Sequence, residues 1–475
     1  MRIGNLADSL LSGLDQAAEA AGRWFEPTVR LGVTGLSGAG KTVFITALVA
    51  SLLRRGRMRD LAPETEGRIL GAMLSPQPDP TIPRFPYEAH LAALTAPNPR
   101  WPSSTRSVSQ LRVSFRYRPR AYMALSGAGR LHLDIVDFPG EWLADLALLD
   151  RDYESWAAEA LATAERPGRH AQAETWRSAL AAVDPSAPHE ELVAEALAAA
   201  YAGYLAACRK EGMAALAPGR FLMPGDLAGS PALTFAPLPK PEAPGRDSLY
   251  AELRRRYDAY RKAVVQPFFQ DHFAALDRQV VLVDVLGALA AGPRALGDLA
   301  EGMESTLAAF RHGASSWLDR LLGNHRIDRL LFLASKADHL HHEQHAALTH
   351  MAEALLAEAA DRAAFHGAET RAMAVAAVRA TAEQTVTRDG ARLALVRGRH
   401  LETGRDVAVH PGALPDDPRA LLATARDPEG AGTWPDADFA RVPFAPPAWG
   451  PRAEDGPPHI RLDRALNFLI GDKLD

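Results

Sequence analysis

The chain has 475 residues, more than one compact core usually holds, and its 47% hydrophobic and 23% charged residues are those of a folded globular protein. A net charge of −5 is small for this length and gives no reason to expect nucleic acid or an anionic membrane as a main partner. Cys208 is the single cysteine, so no disulfide can form within the chain, and a reducing cytoplasm fits.

Leu6, Leu10, Leu11, Leu14, Ala18 and Phe25 recur at helical spacing, which predicts an amphipathic helix within residues 1–27 that docks on the protein's own core. No basic stretch leads into an apolar run with a cleavage site, and no run approaches about 18 consecutive apolar residues, so neither a secretory leader nor a transmembrane segment is expected. Residues 28–34 are β-prone. The eight residues Gly35-Leu36-Ser37-Gly38-Ala39-Gly40-Lys41-Thr42 then match G-x-x-x-x-G-K-[ST], and Val43 to Leu53 follow as a largely apolar helix. Strand, glycine loop and helix together make an anion nest, in which successive backbone N–H groups and a positive helix end point at one β-phosphate. Gly35, Ser37, Gly38, Ala39, Gly40, Thr42 and Val43 are the expected cradle. Lys41 is expected on the β- and γ-phosphates, and the Thr42 hydroxyl on Mg²⁺. The chain has only six lysines against 47 arginines, so a lysine at this place is informative.

Trp101 to Arg106 form a polar loop in which Thr105, or else Ser103 or Ser104, is expected to complete the Mg²⁺ shell. Residues 110–118 alternate polar and apolar side chains and predict a strand exposed on one face, paired with 121–125 or with 130–136. Residues 130–136 predict a buried strand that ends in Asp137, which is expected to hold Mg²⁺ through water. Asp137-Phe138-Pro139-Gly140 is a D-x-x-G match, in which the Gly140 N–H would meet the γ-phosphate so that hydrolysis releases the loop. Glu141 follows where such proteins hold the attacking water, although its charge opposes a phosphate and implies slow unaided turnover.

Residues 141–217 are alanine-rich with tryptophan, leucine and tyrosine at helical spacing, residues 218–246 are proline-rich and irregular, and 247–278 read as a helix bent at Pro267. This block, 141–278, is an insertion placed to sense the γ-phosphate or to supply an arginine to it, with Arg254, Arg255 and Arg256 as candidates. Residues 279–285, 328–334 and 372–379 predict further buried parallel strands. Ser335-Lys336-Ala337-Asp338 is the N-K-x-D guanine signature with Ser for Asn. Asp338 can accept from guanine N1–H and the 2-amino group, and the Lys336 stem can lie over the base. Arg379-Ala380-Thr381, read as a helix end, supplies Ala380 and Thr381 to the rim of the base pocket. Residues 384–458 predict a small β-rich appendage with a hairpin at Asp389-Gly390, and 459–475 a strand-to-helix piece returning to the core.

The fold expected is therefore α/β, a P-loop NTPase with a mostly parallel sheet and helices on both faces. Its core would be split into 28–140 and 279–383 by the helical insertion, with the small appendage following. A Mg²⁺-dependent GTPase leads. An ATPase of the same fold, a nucleotide-dependent binding module with negligible turnover, and phosphoryl transfer to a small acceptor using Glu141 or Asp284 remain alternatives.

The chain resembles the YcjX-like P-loop NTPases. The matching stretches are Gly35 to Thr42, Trp101-Pro102-Ser103-Ser104-Thr105, Asp137-Phe138-Pro139-Gly140-Glu141-Trp142-Leu143, Gln266-Pro267-Phe268-Phe269 with His272-Phe273, Asp277 to Asp284, Ser335 to Asp338, and His459-Ile460-Arg461-Leu462-Asp463. The resemblance implies a Ras-like core that hydrolyses GTP to GDP with Mg²⁺, interrupted by a helical domain. It also implies a bacterial stress role, with a protein effector and an inner-membrane partner that would bring a cytoplasmic protein to that surface.

Overall fold

The computed structural model describes residues 26–35, 38–103, 107–120, 128–166, 168–213, 216–308, 327–365, 367–388, 390–415, 417–427, 434, 442–449 and 455–475. The amphipathic segment expected within residues 1–27 lies almost wholly outside them, as do Ser37, Ser104, Thr105 and Asp389.

Seven strands form the central sheet: β1 (Thr28–Gly35), β2 (Ile69–Ser75), β3 (Ser109–Tyr117), β4 (Gly129–Asp137), β5 (Arg278–Val283), β6 (Arg329–Ala334) and β7 (Glu369–Ala374), in the spatial order β2-β3-β4-β1-β5-β6-β7. From β4 to β7 all neighbours are parallel, while β2 and β3 add an antiparallel edge. Strand β3 takes the second of its two expected partners, β4, and its Arg112 guanidinium forks onto the buried Asp134 carboxylate at 2.6 and 2.8 Å.

Side chains alternate across a strand, and here each side of the sheet has its own core. On one side Leu31, Val33, Val280, Leu282, Leu331 and Leu333 pack with Phe44 and Leu48 of helix α1 (Lys41–Arg54), and with Leu466 and Leu469 of the C-terminal helix Leu462–Ile470. On the other side Val281, Val283, Leu330 and Phe332 pack with Met351 and Leu355 of the helix His345–Phe365 and with the aromatics of 141–276. The helical block therefore shares its core with the sheet. Its helices α2 (Tyr153–Ala164), α3 (His170–Ala181) and α4 (Glu191–Lys210) carry Trp156, Trp176, Tyr201 and Tyr204 inward, and Trp176 stacks on Tyr204 with centroids 5.3 Å apart. Among the described residues α4 alone is long and apolar enough to cross a bilayer, yet Leu197, Tyr201, Leu205 and Cys208 bury one of its faces in this core.

The helix expected over 247–278 runs as Leu249–Tyr260 and continues to Phe273 through wide, π-type turns on both sides of Pro267. Proline lacks an N–H, and a wider turn is where a helix absorbs the missing donor. Strand β7 ends at Ala374, five residues short of expectation, because the apolar run 375–378 leaves the sheet. Thr381 opens strand β8 (Thr381–Arg388) instead of ending a helix. Strand β8 forms an antiparallel trio with β9 (Ala391–Arg399) and β10 (Asp406–Val409), turning at Gly390 with φ 77°. The final segment pairs Ile460 with Ala376 before its buried helix.

Candidate functional site

The parallel strands end together on one side of the sheet, the position where open α/β sheets bind ligands. A pocket of about 350 Å³ lies there. Gly38 and Gly40 have φ of 81° and 88° with open space around them, so backbone conformation, not crowding, is what demands glycine. At Gly35 the reason differs, since a Cβ would stand 2.7 Å from the Leu282 carbonyl oxygen. Helix α1 begins with Gly40 as an N-cap that offers no side chain, so its first-turn N–H groups are turned to the pocket without a capping oxygen. The Lys41 ammonium lies 3.5 Å from the Gly35 carbonyl, folded back over the loop.

Asp137 closes β4, fully buried and in register with Val33 of the strand that leads into the loop. Gly140 caps a short helix, Glu141–Ala144, with an ordinary φ of −63°. The Glu141 carboxylate reaches the pocket and pairs with the Arg209 guanidinium at 3.0 Å. Arg209 comes from the last turn of α4, and it is the one arginine among the described residues that line the pocket. The arginines expected there are elsewhere: Arg255 and Arg256 pair with Glu252, Arg256 also with Glu191, and Arg254 is exposed.

At the far end, Lys336 adopts φ 62° and its ammonium meets Asp284 at 2.5 Å. Asp284 also accepts from the Gly287 N–H at 2.9 Å. Its carboxylate is thus held by a cation and a helix start. The Ser335 hydroxyl donates to the Val283 carbonyl at 3.3 Å. Asp338 is buried, and its carboxylate accepts from the Ala380 N–H at 2.8 Å, while the Thr381 hydroxyl donates to the Asp338 carbonyl. Ala380 and Thr381 therefore orient Asp338 and do not themselves line the pocket. Gly38, Ala39, Gly40, Lys41, Thr42, Val43, Glu141, Ser335, Lys336 and Asp338 do line it together; Gly35, Asp137 and Gly140 stand behind this lining.

Several walls were not anticipated. Val375, Ala376, Ala377 and Val378 form an apolar side beside Asp338, and Leu401, Pro443 and Phe444 arrive from the β-rich appendage. Residues 399–401 and 443–445 are joined by backbone hydrogen bonds of 2.7 Å, which hold Phe444 edge-on to His339 with centroids 5.2 Å apart. Phe444 lies 105 residues from His339 in a segment with no motif, so spacing carried no signal of it.

The helical block grips the segment after Asp137. Trp142 Nε1–H donates to the Met223 carbonyl at 2.8 Å, and the Arg220 guanidinium lies 3.2 Å over the Trp142 ring. The Asp145 carboxylate accepts from the Gly219 N–H at 2.6 Å and the Tyr260 hydroxyl at 2.7 Å. Full burial pushes the Asp145 carboxyl up to about 6 against the lowering effect of those donors.

The YcjX-like family, DUF463, matches residues 29–474. A protein of Escherichia coli (strain K12) named Ras-like GTPase YcjX is 38% identical over 462 residues, covering 94% of this chain and 96% of its own. A protein of the same name from Shewanella oneidensis is 36% identical over 477 residues, with 94% and 95% covered. The glycine loop, Asp137 and Lys336 all stand on this α/β frame, and the match runs nearly end to end: the chain belongs to the YcjX-like family.

Proposed function

We propose that this protein is a Mg²⁺-dependent GTP-binding and GTP-hydrolysing switch whose nucleotide state is read by the helical block. The observation that carries the proposal is that the Gly38–Thr42 loop and Asp338 line one pocket of about 350 Å³. The names of the two relatives support the same reaction. The loop N–H groups and Lys41 bind the phosphates, and Asp338, with Lys336 beside it, reads the guanine edge. The apolar wall 375–378 and Phe444 exclude water from the base.

The Thr42 hydroxyl would hold Mg²⁺ directly and the buried Asp137 carboxylate would hold it through water, and such oxygen groups suit a hard cation. When bound, Mg²⁺ would neutralise phosphate charge. Thr105 joins this set as a further proposed ligand. Glu141 orients the attacking water, and the Gly140 N–H senses the γ-phosphate. Because Glu141, Trp142 and Asp145 are all held by residues 209–223 or Tyr260, movement of this segment on hydrolysis would be passed to the block. We assign the switch to a stress response through a protein effector linked to the inner membrane; the support for that part is the family resemblance alone.

The test is GTP hydrolysis by the full chain with Mg²⁺, with EDTA, and in Lys41→Ala and Asp137→Ala. The reading expects turnover that EDTA abolishes and each substitution lowers at least about a hundredfold. Undiminished hydrolysis in either variant would refute it.

A further inference from the structure

We propose that Arg209 is a catalytic arginine, supplied by the chain itself from the end of α4, that contacts the γ-phosphate oxygens in the transition state. The assignment deepens the GTPase reading and rests on it.

Three observations lead to it. First is position: Arg209 lines the same pocket as Lys41 and Thr42, and bonds the residue that follows Asp137-Phe138-Pro139-Gly140. Its side chain keeps 30% exposure, with one guanidinium N–H directed at the Met223 sulfur at 3.3 Å, and its helix is anchored by the buried Cys208 and the Trp176–Tyr204 stack. The guanidinium is thus carried on a fixed stem with an accessible head. Second is charge. A carboxylate beside a γ-phosphate raises the cost of bringing a further negative group there, and Arg209 at 3.0 Å offsets the Glu141 charge. Third is the fate of the other arginines near this segment. Arg220 lies over the Trp142 ring and pairs with Asp226, Arg255 and Arg256 pair with glutamates, and none of these three lines the pocket.

The chemistry follows from this placement. In the hydrolytic step the water oxygen bonds to Pγ and the bond from Pγ to the β–γ bridging oxygen breaks. The electron pair of that bond goes to the β-phosphate, and a water proton passes to the released phosphate. Charge grows on the bridging and γ-oxygens in the transition state. A planar guanidinium can bridge such oxygens while still facing the Glu141 carboxylate that orients the water, which a point-charge ammonium cannot do. The Glu141–Arg209 pair is then the resting arrangement of the two groups that act on either side of the γ-phosphate. Carried on α4, the arginine also makes turnover depend on how the helical block sits against 140–145.

The experiment uses the full chain as wild type, Arg209→Ala and Arg209→Lys. It measures single-turnover GTP hydrolysis, affinity for a fluorescent GDP analogue, melting temperature, and capture of GDP with aluminium fluoride, which mimics the transition state. The expected result is a fall in rate of about 10³-fold in both variants, with GDP affinity within about threefold of wild type and no aluminium fluoride complex. Arg209→Lys keeps a cation opposite Glu141, so a merely structural ion pair predicts that it restores the rate; recovery to within about threefold would overturn the assignment. So would an Arg209→Ala protein that still captures aluminium fluoride. If the wild type itself neither binds nor hydrolyses GTP, the GTPase reading falls and takes the assignment with it. If the wild type hydrolyses GTP and the variants match it, the assignment alone fails.

Discussion

The contact between Gly219 and the residues after Asp137 gives a sharp test of how the helical block is held. An added Cβ at Gly219 would stand 2.0 Å from the Glu141 carbonyl oxygen and 3.1 Å from the Trp142 nitrogen. Ordinary contact begins at 3.4 Å, so the two backbones would have to part by 1.4 Å, and no flexible side chain can give way in their place. The Gly219 N–H sits 2.6 Å from Asp145 and the Arg220 N–H 3.3 Å, so a displacement of that size takes both beyond hydrogen-bond range. Losing bonds to a buried charged acceptor costs about 1.5–3 kcal/mol, and the overpacking adds about 1–3 kcal/mol. Gly219→Ala should therefore lower stability by roughly 3–5 kcal/mol, which for a chain of this size is a fall in melting temperature of about 3–5 °C. Gly203→Ala is the matched control: it lies within α4 with nothing near its added Cβ, and should gain about 0.5–1 kcal/mol from helix propensity. Scanning fluorimetry on the two variants decides. A Gly219→Ala protein melting within about 2 °C of wild type, or a Gly203→Ala protein falling as far, would refute the reasoning.

Asp145 predicts a pH effect. Its folded value of about 6 lies above the ordinary 3.8, so the stability it contributes is fully present below about pH 3.8 and is lost as pH rises through about 6. Between about pH 4 and about pH 7 the wild type should lose about 2 kcal/mol at this group that Asp145→Asn does not lose, measured as the difference between their denaturation curves; parallel curves would contradict it. Phe444→Ala strips one apolar wall from the pocket and should weaken GTP and GDP binding alike by about tenfold, roughly 1.5 kcal/mol of contact, by titration calorimetry. Unchanged affinity would remove the appendage from the site.

What could be read in the sequence was whatever the physics makes local. Strands β1, β4, β5 and β6 are buried on both faces and so appear as short branched runs, and the glycine loop needs left-handed residues at fixed offsets. Strand β2 carries a weak signal because Gly71 interrupts its short apolar stretch, and the exposed Leu70 and Met73 remove any polar–apolar alternation. The end of β7 was set too late because Val375 to Val378 are apolar for the sake of the pocket, not of the sheet. Arg209 carries no more signal than Arg254–Arg256, since nothing in one sequence tells which arginine in a helical block turns toward Glu141, 68 residues earlier in the chain. Spacing within a motif is local, whereas the walls that complete this pocket are assembled by tertiary packing.

Side-by-side, Mg²⁺-dependent binding and hydrolysis of GTP and ATP by wild type and Asp338→Ala is the most direct test of the central claim. The account predicts that the wild type prefers GTP and that the preference vanishes in the variant, because the carboxylate held by the Ala380 N–H at 2.8 Å accepts the two guanine donors that adenine lacks. Equal use of both nucleotides, unchanged by the substitution, would contradict it.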